Sequence, residues 1–268
     1  MKPFHLLSFL PGPLAVALVA ALLPAGAVRG EEAAGLVLIP AGVHEPVLRG
    51  QDEPRQVAVA PFLLEARPVT NAEFLAFVRD QPKWRRSRVA PLFADAGYLA
   101  HWAGDLELGP KAPAEAPVVR VSWFAARAYA AAKGRRLPTT AEWERAAAAG
   151  FRGERGADEP EYRRVALGWL AQPSPDVLPA VGSRRASVHG VHDLLDLVWE
   201  WVDDFNTTMT TGESRGDTGL ERTLFCGAGA AGAQDLTNYP AFMRAGMRSA
   251  LRARYVVPNL GFRCALSP

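Results

Sequence analysis

The chain has 268 residues, 49% of them apolar and 22% charged, with a formal net charge of +2 and a mean hydropathy of −0.01. That balance excludes a disordered or fibrous chain and suits one large globular domain or two small ones. Lys and Arg are scattered among Asp and Glu, which argues against nucleic acid as a partner. The short cluster Lys83, Arg85, Arg86, Arg88 reads as a solvated face.

At the N-terminus, Lys2 precedes an apolar stretch from Leu6 to Leu23 that Pro11 and Pro13 interrupt. The uninterrupted part, Leu14 to Leu23, is short for a bilayer, which needs about 20 apolar residues. Ala25-Gly26-Ala27 then offers small residues for cleavage. Residues 1–27 therefore read as a signal peptide; the alternative is an uncleaved anchor. Cleavage leaves a protein with no membrane insertion, in the periplasm or secreted. In that oxidising setting Cys226 and Cys264 are the only cysteines.

Residues 28–35 read as a short leader. Leu36-Val37-Leu38-Ile39 reads as a strand closed by a turn at Pro40-Ala41-Gly42, and Gln56 to Val59 and Pro61 to Leu64 as further strands. Thr70 or Asn71 caps a helix with Glu73 in its first turn and Phe74, Leu75, Phe77 and Val78 on its buried stripe. Residues 80–118 read as a long ordered loop. Ser122 caps a second helix from Trp123 to Lys133, stopped by Gly134. Thr139 or Thr140 caps a third, with Glu142 as in a capping box and Gly150 at its end. Residues 151–186 return to loop. The stretch from Val188 to Phe205 is dense in Asp and Trp, residues 206–222 read as an exposed polar loop, and the last forty residues mix Gly, Arg and aromatics. Three short helices, few strands and much loop do not suit a standard layered fold.

Six segments in order resemble the formylglycine-generating enzymes of the sulfatase-modifying factor family. They are Val37 to Gly42, Pro68-Val69-Thr70-Asn71-Ala72-Glu73-Phe74, Pro117 to Tyr129, Arg136-Leu137-Pro138-Thr139-Thr140-Ala141-Glu142-Trp143-Glu144, Gly190 to Trp201, and Asn259-Leu260-Gly261-Phe262-Arg263-Cys264. The resemblance covers residues 36–266. It implies a C-type-lectin-like α+β fold with short twisted sheets, two or three helices and extensive loops. The ending is similar to the NirV-like subgroup, which accompanies copper nitrite reductases.

The chain departs from the family at its chemistry. Formylglycine-generating enzymes bind Cu(I) through two cysteines five residues apart, soft sulfur suiting a soft ion. Aligned back from Asn259, those positions fall on Asp235 and Pro240, and no cysteine lies between Cys226 and Cys264. Copper-dependent cysteine oxidation by that route is excluded, and copper is not an expected cofactor. His44, His101, His189 and His192 form no spaced ligand motif, which tells against the iron enzymes that share the fold.

Two site expectations follow. By position, the resemblance places a structural Ca²⁺ on Asp193, Asp196, the Val198 carbonyl and Glu200, oxygen donors that suit a hard cation; the alternative is a solvated acidic turn. Cys226 and Cys264 form either a disulfide, stabilising by about 3–4 kcal/mol, or a Cu(I) thiolate site with Met243 or Met247. Trp123, Trp143, Trp199 and Trp201 are core. Arg244, Arg248, Arg252, Arg254 and Arg263 either bind an anion or pack against carboxylates. The function expected is an exported, non-catalytic accessory module acting on a partner protein or small ligand, possible partners including a copper nitrite reductase system. The alternatives are a metal-dependent oxidase or oxygenase with a relocated site that includes Cys226, and a lectin-like binding protein.

Overall fold

The computed structural model describes residues 35–48, 54–206 and 238–267. All belong to one unit, Gly35–Pro268. The elements are β1 (Leu36–Ile39), β2 (Gly42–His44), β3 (Val57–Val59), β4 (Phe62–Glu65), α1 (Asn71–Asp80), α2 (Trp123–Ala132), α3 (Thr140–Ala148), α4 (Pro160–Leu170), β5 (Trp199–Glu200), α5 (Tyr239–Ala250), β6 (Leu260–Gly261) and β7 (Ala265–Leu266). The class is α+β, as expected, with short sheets. The described residues hold five α-helices where two or three were expected.

The sheets explain why the motifs lie where they do. β4 pairs antiparallel with β1, Ile39 opposite Phe62, and with β7, Leu64 opposite Ala265. The first and last strands thus flank one central strand, and Ile39, Phe62, Leu64 and Ala265 are all buried. β2 and β3 form a separate antiparallel pair. β5 and β6 run parallel, with Trp199 opposite Leu260 and Glu200 opposite Gly261. That register sets the tryptophan-rich segment beside the Gly-Phe-Arg segment. Gly261 is required there: a Cβ would stand 2.6 Å from the Val118 carbonyl oxygen.

The helix starts follow the sequence closely. Thr70 caps α1 and Thr139 caps α3, each in a capping box with Glu73 or Glu142. An arginine three residues before each cap adds to the box: Arg67 holds Glu73 at 2.9 Å and Arg136 holds Glu142 at 2.7 Å. Ser122 caps α2, which ends at Gly134 with φ +65°. Between α1 and α2 the long loop is tied down by one buried side chain. Asn71 donates to the carbonyls of Pro113 and Ala116 and accepts from Trp102 Nε1 at 2.9 Å. Phe74, Tyr129 and Phe262 pack together at the centre, with ring centroids 5.3–6.1 Å apart.

Two helices were not expected from the sequence, and the first falls in an expected loop. α4 lies within residues 151–186, starts with Pro160 in its first turn and has no side-chain cap. Tyr162 and Ala166 make its buried face, too few apolar positions to announce a helix. α5 lies in the last forty residues. Asn238 caps it and Pro240 sits in its first turn, but its buried residues are Ala241, Arg244 and Arg248. A periodicity search counts those arginines as polar and so misses the face that packs. The polar loop expected over residues 206–222 falls almost wholly outside the described residues.

Candidate functional site

The site is built where α3 meets α5. Glu144 follows Trp143 on α3 and is buried. Arg244 and Arg248, four residues apart on α5, both reach it. Arg244 is bidentate, with Nε to Oε1 at 2.9 Å and Nη2 to Oε2 at 2.6 Å; Arg248 Nη1 reaches Oε1 at 2.5 Å. Burial alone would raise the Glu144 carboxyl, but the two guanidiniums outweigh it and hold it at about 2. Both guanidiniums also lie over the Trp143 ring, 5.3 and 4.8 Å from its centroid.

Trp143 carries the network deeper. Its Nε1 donates to Glu200 Oε2 at 2.8 Å. Glu200 is bound by Arg263, Nη2 to Oε1 at 2.8 Å and Nε to Oε2 at 2.9 Å, with both side chains 0% exposed. Arg263 uses its other donors on the carbonyls of Glu65 and His192. A buried ion pair is tolerated only when such remaining bonds are made.

On the other side the junction opens into a cleft of about 1220 Å³ between β2, α3, α4 and α5. Val43, Leu48, Leu167 and Ala245 give it apolar wall, while His44, Arg145, Arg244 and Arg248 give it charge or polarity. Burial lowers the His44 pKa, against the opposing pull of Glu144. Arg145 reaches Glu154 at 2.9 Å and leaves Nε buried without a partner. It fits only because residue 42 is glycine: a Cβ there would stand 2.1 Å from Arg145 Nε. Pro240, at one of the two positions where the resemblance puts a catalytic cysteine, lines this cleft; Asp235, at the other, lies outside the described residues.

The calcium candidates are held by different partners. Asp193 has φ +63° and one oxygen bound by the Gly182 N–H, while Oδ1 is buried without a partner. Asp196 meets Arg184 at 3.5 Å. Burial pushes its carboxyl up to about 6 against the pull of Arg184, with Asp193 adding to the rise. Val198 is buried, and its neighbour Trp199 is half-buried. Both oxygens of Glu200 are taken by Arg263 and Trp143, so the cation that balances Glu200 is a guanidinium. No three His, Cys, Asp or Glu side chains among the described residues group to hold a metal.

Of the expected disulfide or copper pair, Cys226 lies outside the described residues. Cys264 is a fully buried free thiol. Burial and the Glu65 carboxylate push its pKa well up. Trp143 and Trp201 are core, whereas Trp123 and Trp199 are partly buried at its edge. Four of the five arginines meet carboxylates, Arg244 and Arg248 on Glu144, Arg263 on Glu200 and Arg254 on Asp95, whereas Arg252 lies over the Tyr255 ring. Sequence reading missed Glu144 and Arg145 as site residues. The signal was present in Trp143-Glu144-Arg145, two adjacent charges inside a helix otherwise rich in alanine.

A model of the sulfatase-modifying factor enzyme 1-like domain matches residues 23–268. The hercynine oxygenase of Mycolicibacterium smegmatis is 35% identical over 210 residues, which is 67% of this chain; the aligned part spans only 47% of that relative. The inactive C-alpha-formylglycine-generating enzyme 2 of Mus musculus is 30% identical, covering 85% of this chain and 86% of its own. The formylglycine-generating enzyme of Streptomyces coelicolor is 32% identical, covering 81% of both. Among solved structures, PvdO from Pseudomonas aeruginosa aligns over 87% of this chain and 94% of its own, with a TM-score of 0.49 and 19% identity. The domain match over nearly the whole chain, with the motifs placed as above, shows that this protein belongs to the sulfatase-modifying factor enzyme 1-like family.

Proposed function

We propose that this protein is an exported, non-catalytic binding module of the family. The observation that supports it is the chemistry at the start of α5, where Pro240 stands in place of a catalytic cysteine and carries no thiol. The chain has two cysteines in all. One of them, Cys264, is buried beside Glu65 with a raised pKa, whereas a Cu(I) ligand must be a thiolate. The similar mouse protein, named as inactive, is matched over most of its length, so loss of the reaction has precedent on this fold. Export rests on residues 1–27. The partner is a protein or small ligand met outside the cytoplasm, and the NirV-like ending suggests a copper nitrite reductase system.

The test is direct. The purified protein, loaded with Cu(I) under oxygen, is incubated with a peptide carrying the cysteine motif of a sulfatase, and the products are read by mass spectrometry. The expected result is no aldehyde. Protein-dependent conversion of the cysteine to formylglycine overturns the reading.

A further inference from the structure

We propose that the turn at Leu92 and Phe93, with the cations beside it, docks the protein on a membrane surface that carries anionic lipid. Leu92 and Phe93 enter the headgroup layer, and Lys83, Arg85, Arg86 and Arg88 meet the lipid phosphates. This is a peripheral contact by a loop, not a span, and it goes beyond the reading of the protein as a binding module.

The segment 82–93 holds four Lys or Arg and no Asp or Glu. From the sequence these four read as a solvated face; the structure sets an apolar tip among them. None of the four forms an ion pair with a carboxylate among the described residues. Arg85 spends Nε on the Val78 carbonyl and Nη2 on that of Arg79, and Arg86 spends Nη1 on that of Trp102. Lys83 lies 6.0 Å over the Trp84 ring, and Arg88 is exposed. The acids of the adjoining segments do not cancel them. Asp95 is paired with Arg254, and Asp80 follows Arg79 in the chain. That leaves Asp105, which accepts from the Ser87 amide and hydroxyl, and Glu107 in the same turn, two acids against four cations.

The apolar tip is built to stand out. The Phe93 N–H donates to the Ala90 carbonyl at 2.8 Å across Pro91 and Leu92, a turn for which proline at the second place is pre-set. Leu92, at the third place, is 74% exposed, more than any other large apolar residue described. Phe93 is partly exposed and is held from behind by Trp84 and Phe124, their ring centroids 5.9 and 5.4 Å away. A bilayer interface takes the Leu92 side chain out of water and gives the cations their counter-charges. Nucleic acid would answer the cations and leave Leu92 wet. A neutral apolar surface would take the leucine and leave the cations unanswered. Anionic lipid takes both.

The test is co-sedimentation of the purified protein with vesicles of phosphatidylcholine alone and of phosphatidylcholine mixed with phosphatidylglycerol, at low and at high salt. Binding to the mixed vesicles is expected to be about tenfold or more tighter than to the neutral ones, and to weaken at high salt. Arg88→Glu should weaken it about fivefold or more, and Leu92→Asp about tenfold. Both side chains are exposed, so the melting temperature should stay that of the parent, which checks that the variants fold. Residues 1–27 are the same in every variant, so binding through a retained leader would not respond to either change. Equal binding to both kinds of vesicle, no binding to either, or folded variants that bind as the parent does overturns the proposal. Binding to polyglutamate as tight as to the mixed vesicles, and unaffected by Leu92→Asp, would put an acidic protein there instead and overturns it too.

Discussion

Glu144 decides how α5 is held. Its carboxylate is the shared acceptor of Arg244 and Arg248, and all three side chains are buried. Replacing it with glutamine removes the charge but keeps the shape, leaving two guanidiniums unbalanced in a poorly solvated place. Glu144→Gln is expected to cost about 3–5 kcal/mol of stability, read from urea unfolding. A loss below about 1 kcal/mol would show that α5 is held by its apolar contacts instead. Asp196 gives the opposite sign. Its folded pKa is raised to about 6, so the folded state binds this proton more tightly than the unfolded chain does, at about 3.9. The stability that follows is present below pH 4 and is lost as pH rises through 6. Asp196→Asn should therefore flatten the stability profile between about pH 4 and 6 and raise stability at pH 7, by about 1–2 kcal/mol after allowing for partial exposure. A parent profile that stays level across that window counts against it. Neither role was legible in the sequence. The sequence names Asp196 only by its place in a family segment, and only the fold shows that it meets Arg184 and that Glu200 is bound by Arg263.

At the scale of elements, the caps were legible and the late helices were not. Thr70, Ser122 and Thr139 announce their helices because a cap is a local bond between residues three apart. Thr139→Ala removes half of a capping box and should cost about 1 kcal/mol, seen as a lower urea midpoint with an unchanged slope. α4 and α5 depend on each other and on α3, so their buried faces carry information that no short window contains. The turn from β1 into β2 shows the same dependence. Gly42 looks like a simple turn residue, yet its φ is not positive; what it supplies is space for Arg145. Gly42→Ala should cost about 1–3 kcal/mol, as overpacked sites do. Pairing it with Arg145→Ala should restore part of the loss, since the clash is then gone. If the double variant is no better than the sum of the singles, the cost lies in the backbone rather than in the contact.

The whole molecule is loop-rich, and polar bonds between distant segments do much of the fastening that long elements do elsewhere. Arg263 alone ties β6–β7 to β4 through the Glu65 carbonyl, to the segment before β5 through the His192 carbonyl, and to Glu200 on β5. Trp143 extends that hub to α3. Four of the hub's residues, Trp143, His192, Glu200 and Arg263, lie in motifs quoted from the sequence, so the family could be read from them while the state of the site could not. A family motif records that a carboxylate belongs at position 200; it does not record what neutralises it. If a calcium ion from solution did, removing it would strip a ligand that binds only the native state, and the melting temperature would fall by mass action. Here the counter-charge is covalently part of the chain, 2.8 Å away and shielded from solvent. The melting temperature is therefore expected to be the same, within about 1 °C, in excess calcium and in excess chelator. Arg263→Met keeps much of the side-chain volume and removes the charge, so it should lower the melting temperature sharply in both conditions, because an uncompensated buried carboxylate costs several kcal/mol. A chelator-dependent fall in the parent protein would return Asp193, whose Oδ1 is buried and unpartnered, to the role of cation ligand. Calcium that rescued only the Arg263 variant would show instead that guanidinium and cation compete for one place in the fold.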